Sequence, residues 1–322
     1  MVVEKEEYSL KDIPGVGEKT AKKLNEIGIL DLQTLAHSSP IEIARAADIS
    51  EEVAEKIINK AKELLGLTVF ESGLDILERE ENASRITTCS KNLDSLLGGG
   101  VWTQAITETW GHYASGKTQI GFQLAVNVQR SFEEGGLEKS CLWIDTEGTF
   151  SALRVRQIAQ ALGIDPNNVL KNILVAKVTS AAHQMEVVDK YVAKIIRERN
   201  VGLIVVDSIT ANFRAEYVGR AELAERQQKL NSHLHKLKRL ADAYNLAVYI
   251  TNQVMMKPDV IFGDATIPVG GTPIAHISNY RVYLKKSKGN LRIAGLADAS
   301  NLETGEVMFC ITKEGIRDPP EK

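Results

Sequence analysis

One stretch limits this chain to a small set of folds. Gly111-His112-Tyr113-Ala114-Ser115-Gly116-Lys117-Thr118 meets every fixed position of the pattern G-x-x-x-x-G-K-[ST]. Glycines at those positions let the backbone curl until consecutive N–H groups converge on a phosphate. The lysine then adds a point charge on the β/γ oxygens, and the threonine hydroxyl can ligate Mg²⁺. An apolar run at Ala105 to Thr107 precedes the loop, and Gln119 to Gln129 follows with apolar residues at helical spacing. The loop is therefore expected between a strand and a helix, the context its mechanism needs. A chance glycine-rich turn is the competing explanation, and the context counts against it. A nucleoside triphosphate site is expected here.

At 322 residues the chain can form one large α/β domain and a small one. Its 43% apolar and 25% charged content is that of an ordinary globular protein. No apolar run approaches the roughly 18 residues of a membrane span. The acidic start MVVEKEEYSL lacks the form of a signal peptide, so no membrane association is expected. Cys89, Cys141 and Cys310 lie far apart without C-x-x-C spacing, which argues against a disulfide framework or zinc site and fits a reducing cytoplasm. A net charge of −3 excludes a uniformly basic nucleic-acid binder, leaving local patches to carry any such contact.

Residues 1–66 read as helical and short-looped. Ile13-Pro14-Gly15-Val16-Gly17 separates two amphipathic stretches, with Lys19, Lys22 and Lys23 directly behind the glycines. A tight Gly-x-Gly turn exposing N–H groups at a helix start is a ready phosphate site, so Gly15, Gly17 and Lys19 are candidate DNA contacts of a helix-hairpin-helix motif. A weaker second copy is expected at Ala47-Asp48-Ile49-Ser50 before Glu51 to Leu64. The alternative is a plain helical bundle whose glycines only cap helices, and nine Lys/Arg against thirteen Asp/Glu in these 66 residues favours it. Residues 67–84 read as a polar connector. Its one aromatic, Phe70, docks either on a neighbouring subunit or on its own chain.

Residues 85–322 form the large domain. Leu93 to Val101 reads as a helix ended by glycines. Apolar strands at Ser140–Asp145, Asn172–Lys177, Val201–Asp207, Leu246–Thr251 and Tyr280–Lys285 alternate with helical segments. That alternation predicts a mostly parallel central sheet flanked by helices. Arg292–Leu296 and Val307–Lys313 are expected as antiparallel edge strands, and the tail from Asp318 as frayed.

Strand ends carry the chemistry. Asp207 closes Val201-Gly202-Leu203-Ile204-Val205-Val206, where a phosphate-loop sheet puts a carboxylate near the metal; a helix cap by Asp207 or Ser208 is the alternative. An NTPase also needs a carboxylate to orient water. Glu147 is the better candidate, although spacing does not separate it from Asp145. Gln253 closes another strand, where it can bond a γ-phosphate and signal to the glycine-bearing loop from Met255 to Thr272. In Asn212 to Lys229, arginines interleave with Phe213 and Tyr217, a pattern suited to single-stranded nucleic acid; a solvated helix face with pairs such as Glu222–Arg226 is the alternative.

These motifs resemble the RecA-like strand-exchange family in its archaeal branch, over essentially the whole chain. The most specific stretches are Trp143 to Phe150, FRAEYVGRAELAERQQKL from Phe213, and TNQVMMKPD from Thr251. The N-terminal domain favours the full-length members over a shorter paralogue that lacks it. The resemblance implies an α/β, RecA-like P-loop ATPase core with an all-α helix-hairpin-helix domain. Its activity would be ATP-dependent filament formation on single-stranded DNA, homologous pairing with double-stranded DNA and strand exchange in repair. Glu147 would orient the attacking water, while Lys117, Thr118 and Asp207 would serve phosphate and Mg²⁺. Arg154 would stack on adenine, and Gln253 would sense the γ-phosphate. Arg214, Arg220 and Arg226 would face DNA from the first loop, and Gly270 and Gly271 would end the second. Phe70 and Gly73 would hook each subunit to the next in a helical filament or ring. His276 and Asp298 would reach a neighbour's ATP.

Several positions depart from the family pattern. Ala114 stands for a usual glycine and His112-Tyr113 for an acidic–aromatic pair. Ser151-Ala152-Leu153-Arg154 replaces Arg-Pro-Glu-Arg, Thr272 stands where His or Asn is common, and Asp298 to Glu303 loses two prolines and a histidine. Each change touches the ATP interface. They motivate a second reading, a paralogue that binds ATP and DNA as a mediator for another recombinase with weak hydrolysis. A RecA-like ATPase of other output, such as a ring helicase, is the third, and Phe213 to Leu230 argues against it.

Overall fold

The computed structural model describes residues 9–67, 70–219, 221–256 and 266–320. Fully buried β-branched runs need neighbours on both faces, and a parallel sheet under helices supplies them. The chain begins with α1 (Glu18–Glu26), α2 (Leu32–Ala36), α3 (Pro40–Ala47) and α4 (Glu51–Leu64), packed around their own core of Ile13, Leu24, Leu35, Ile43 and Ile57. A further helix, α5 (Gly73–Glu81), follows where the sequence reads as a connector. It buries none of its residues, and a reciprocal Ser72/Asp75 capping box holds its start.

The order continues with β1 (Arg85–Ile86), α6 (Lys91–Leu96), β2 (Val101–Trp102), β3 (Ala105–Gly111), α7 (Lys117–Asn127), β4 (Ser140–Asp145), α8 (Ala152–Ala161), α9 (Pro166–Lys171), β5 (Ile173–Lys177) and α10 (Ala181–Glu186). A π-helical turn over Val187–Tyr191 joins α10 to α11 (Val192–Arg199). Then come β6 (Val201–Asp207), α12 (Ala211–Glu216), α13 (Leu223–Tyr244), β7 (Ala247–Asn252), β8 (Val254–Met256), β9 (Thr266–Pro268), α14 (Thr272–Ile277), β10 (Tyr280–Lys286), β11 (Leu291–Ala299), β12 (Gly305–Thr312) and β13 (Gly315–Arg317). The nine-stranded sheet runs β13-β12-β11-β10-β3-β7-β6-β4-β5. The six strands from β10 to β5 are parallel, and β11, β12 and β13 extend the sheet antiparallel, as the spacing predicts. One face packs under α7 with Phe122, Trp143 and Tyr249, the other under α13 with Leu234, Leu237 and Ile250. Among the described residues no helix is long and apolar enough to cross a membrane.

Two sequence expectations change. The tail does not fray at Asp318: its carboxylate accepts from the Ser90 hydroxyl and from the backbone N–H groups of Lys91 and Asn92, capping α6. The acidic balance of the N-terminal helices also has a specific use. Asp31 accepts from the Tyr244 hydroxyl at 2.8 Å and pairs with Arg197, while Glu42 pairs with Arg239 at 2.7 Å and with Lys236 at 3.5 Å. Two carboxylates are thus spent docking the helices on the core, and Lys19 and Lys22 stay exposed.

Under α13 lies a buried polar cluster. Gln184 donates to Nε2 of His233 and to the Ile209 carbonyl, and accepts from Asn212. Burial pushes the His233 imidazole down to about 4, so it is neutral in the fold. Between pH 6.5 and 4 the unfolded chain takes up a proton that the folded chain refuses. This stability is therefore present above pH 6.5 and lost as pH falls towards 4. Replacing His233 with Gln should reduce the loss of unfolding free energy between pH 7 and pH 5 by about 2 kcal/mol, measured by denaturant melts at both values.

Candidate functional site

The phosphate loop hangs between β3 and α7, at the carboxyl edge of the parallel strands. A Cβ on Gly111 would lie 2.3 Å from the Leu284 carbonyl oxygen, so only glycine fits there. Gly116 precedes α7 at φ +114°, another conformation reserved for glycine. Ala114 occupies the left-handed region at φ +60°. The alanine that replaces the family's glycine therefore sits in a strained conformation. Its carbonyl accepts from Nε of Arg292 at 3.2 Å, and Nη1 of that arginine donates to the carbonyls of Gly289 and Leu291. Lys117 donates from Nζ to the carbonyls of Gly111 at 2.8 Å and His112 at 3.1 Å. Burial lowers its pKa, opposed by the carboxylates of Asp207 and Glu147. Tyr113 is 97% exposed and His112 is exposed.

Asp207 ends β6 at 2% exposure. It accepts from the hydroxyls of Thr251, Thr118 and Thr149. Burial raises its pKa, and these hydrogen bonds partly offset the rise. It caps no helix: α12 begins at Ala211 behind Thr210, with no side-chain cap bond. The structure places Asp145 and Glu147 in different surroundings. Asp145 is buried, and its oxygens accept from the N–H groups of Thr149 and Phe150, which closes a turn. Glu147 lies exposed on the cleft, where its Oε1 accepts from Nε2 of Gln253 at 2.7 Å.

Gln253 in turn accepts at Oε1 from Nη1 of Arg214 at 3.1 Å. A continuous side-chain chain therefore runs from the cleft carboxylate to the segment beyond β6. Arg154 is pinned by Gln119 at 2.7 Å and by the carbonyls of Thr312 and Lys313 at 2.7 Å each, its planar group held beside the loop. Glu147, Gln253, Arg154 and Gln119, with Ser115 and Gly116, border one cleft of about 660 Å³.

Other predicted residues lie elsewhere. His276 and Asp298 are exposed and border no part of this cleft. Gly15 and Gly17 precede α1, whose start has no side-chain cap, beside exposed Lys19. The second hairpin, α3 to α4, exists, but Ser50 fills its helix start and Glu51 and Glu52 follow. That makes it a poorer phosphate site than the first. Arg226 lies half-buried on α13, where the ion pair formed is Lys229–Glu225 rather than Glu222–Arg226. Gly270 and Gly271 precede α14 at φ +94° and +64°. Phe70 is 90% exposed, so it does not pack on its own chain, and Gly73 opens α5. Arg220, and Gly263 of the second loop, lie outside the described residues. Sequence reasoning missed Arg292, Thr149 and Thr251, because single polar residues in strands and turns give no local signal of what they face.

The donor set suits a phosphate chain with a divalent cation. Two serine hydroxyls bordering the cleft, Ser115 and Ser208, are buried without a hydrogen-bond partner among the described residues. Buried polar atoms left this way mark a place where a ligand completes the bonding. Loop amides, Lys117 and Arg154 could hold the nucleotide, and Thr118 with Asp207 the cation.

Such a loop on a mostly parallel sheet with an antiparallel extension defines a RecA-like nucleotide-binding core. Residues 79–319 match the Rad51 family, and residues 7–63 match the SAM-like helix-hairpin-helix tandem. The chain is 49% identical over 310 residues to the DNA repair and recombination protein RadA of Aeropyrum pernix, covering 96% of this chain and 97% of that protein. It is 47% identical over 313 residues to the protein of the same name from Metallosphaera sedula, covering 97% and 96%. The chain belongs to the Rad51 family, alongside the archaeal RadA proteins.

The strain at Ala114 is testable. Ala114→Gly should raise stability by about 0.5–1 kcal/mol, the relief of the left-handed conformation less the extra unfolded-chain entropy of glycine. A thermal melt that falls instead would mean that the alanine methyl makes a contact worth more than the strain.

Proposed function

We propose that this chain is an ATP-dependent DNA recombinase, forming a filament on single-stranded DNA and exchanging strands with a homologous duplex in recombinational repair. The observation that carries the reading is the hydrogen-bonded chain Glu147–Gln253–Arg214, which ties the nucleotide cleft to a loop suited to DNA. Bound ATP with Mg²⁺ supplies the phosphoanhydride whose hydrolysis resets the filament. Lys117 and the loop amides bind and orient the phosphates, Thr118 and Asp207 hold the cation, and Arg154 offers a flat face for the base. Glu147 orients the attacking water and accepts its proton. Gln253 positions Glu147 and carries the state of the cleft to Arg214. DNA contacts come from Arg214, Arg220, Arg226, Gly270 and Gly271, and duplex contacts from Gly15, Gly17 and Lys19. These are backbone and stacking contacts, because base pairing supplies the sequence reading. His276 and Asp298 complete the cleft of an adjacent subunit, consistent with their distance from their own. The protein acts in the cytoplasm on the nucleoid.

The strained Ala114 favours a second reading, a mediator that binds ATP and DNA with weak hydrolysis. ATP hydrolysis with and without single-stranded DNA separates the two. Strong stimulation, reduced about 100-fold or more in Glu147→Gln, supports the recombinase and the role of Glu147. ATP-dependent DNA binding without stimulation supports the mediator.

Subunit assembly through Phe70 is tested separately. Phe70→Ala should shift the protein to smaller species in size-exclusion chromatography and leave the melting temperature within about 1 °C, since the ring is exposed in one chain. Unchanged assembly would remove Phe70 from the interface.

A further inference from the structure

The middle of β3 and the carboxyl end of β7 meet in a buried polar knot outside the nucleotide cleft. Glu108, on β3, has no exposed surface and pairs with Arg281 on the adjacent β10, Nε to Oε2 at 2.8 Å. The other carboxylate oxygen, Oε1, accepts from the side-chain amide of Asn252 at 2.8 Å. Asn252 ends β7 and is itself fully buried. Its Nδ2 also donates to the Val269 carbonyl at 2.6 Å, and its Oδ1 accepts from the Thr210 hydroxyl at 2.9 Å. Both amide hydrogens and the amide oxygen are therefore used. A buried carboxamide so fully bonded has one rotamer and tolerates no close substitute.

The partners are what give the knot meaning. Thr210 stands at the entrance of the segment holding Arg214, and its carbonyl accepts from the Arg214 N–H at 3.0 Å. Val269 stands at the exit of the segment that begins after Gln253, and its N–H donates to the Gln253 carbonyl at 2.9 Å. Val269 is thus held on one side by the backbone of Gln253 and on the other by the side chain of Asn252. A second, independent contact joins the same two segments. A Cβ on Gly270 would lie 2.4 Å from Ile274 Cδ1 and 3.2 Å from Thr210 Cγ2, so the exit of one loop rests on the entrance of the other.

We infer that Asn252 is a positioning residue that locks the roots of the two DNA loops into one unit, anchored on the buried Glu108–Arg281 pair. The inference rests on the recombinase reading and adds the device that couples its two loops. A shift of Gln253 at the cleft moves Val269 directly and Thr210 through Asn252, so both loops respond together. A carboxylate at this position would face Glu108 without water, and an apolar residue would cut both loops from the anchor.

The test reads coupling rather than binding alone. Affinity for labelled single-stranded DNA is measured by anisotropy on the full chain, with a non-hydrolysable ATP analogue and with ADP. Wild type should bind more tightly with the ATP analogue, by about tenfold or more. In Thr210→Val and Asn252→Leu the ratio should fall to about twofold or less, with affinity for a fluorescent ADP analogue within about threefold of wild type. Thr210→Ser keeps the hydroxyl and should restore the ratio. Wild-type coupling in Thr210→Val and in folded Asn252→Leu overturns the inference, as does a Thr210→Ser ratio as low as that of Thr210→Val. If Asn252→Leu does not fold, the two Thr210 variants decide. A wild-type ratio of one overturns the recombinase reading and the inference with it.

Discussion

The molecule depends on the parallel register of its middle strands. Thr109 pairs with Thr251 and Trp110 with Asn252, while Val206 pairs with Ile250. That alignment ends β3, β6 and β7 at nearly one level, so Gly111, Asp207 and Gln253 emerge along the same edge. Asp207 is 89 positions from Thr118 in sequence, yet its carboxylate accepts from the Thr118 hydroxyl. Strand pairing, rather than any local motif, sets that distance. The buried faces on either side, under α7 and α13, hold the register, because a slip of one residue would turn core side chains outward.

Polar residues are buried at this edge at a cost, and each is offset by a defined bond. Asp207 takes three threonine hydroxyls and Asp145 takes two amides. Glu108 takes Arg281 and Asn252. Removing one partner from such a set costs more than the bond itself, because a charge or lone pair is left without water. These bonds tie the edge together, while the adjoining Met255, Met256 and Val218 are exposed.

The strained phosphate loop and the docked N-terminal helices show where the chain departs from the simplest design. Ala114 accepts left-handed strain, and Arg292 holds the loop by the carbonyl of that same residue. The N-terminal helices attach through Asp31 and Glu42 to cations on α11 and α13, through the Tyr244 hydroxyl, and through Leu30, which packs on the apolar core and accepts from Arg197 at its carbonyl. The ion-paired part of this contact weakens with salt, unlike the apolar core of either domain.

The nucleotide loop, the alternation of strands and helices, the antiparallel edge and the glycine turn before α1 are all legible in the sequence. Each is written in local spacing: glycines where the backbone must curl, apolar residues at a period of two or 3.6, an acid at a strand's end. The sequence favoured Glu147 over Asp145 without separating them by spacing, read α5 as a connector although Leu74, Ile76 and Leu77 and the Ser72/Asp75 cap lie there, and read the tail as frayed because Asp318 meets α6 from more than 220 residues away. It also counted acidic residues in the N-terminal domain without showing that two of them face the core. Only the tertiary structure decided which carboxylate reaches the cleft, which loop arginine Gln253 touches, and that Asn252 joins Thr210, Val269 and Glu108. The physical reason is the same in each case: a hydrogen bond is set by distance and direction between groups that the sheet brings together, and nothing in local spacing encodes either.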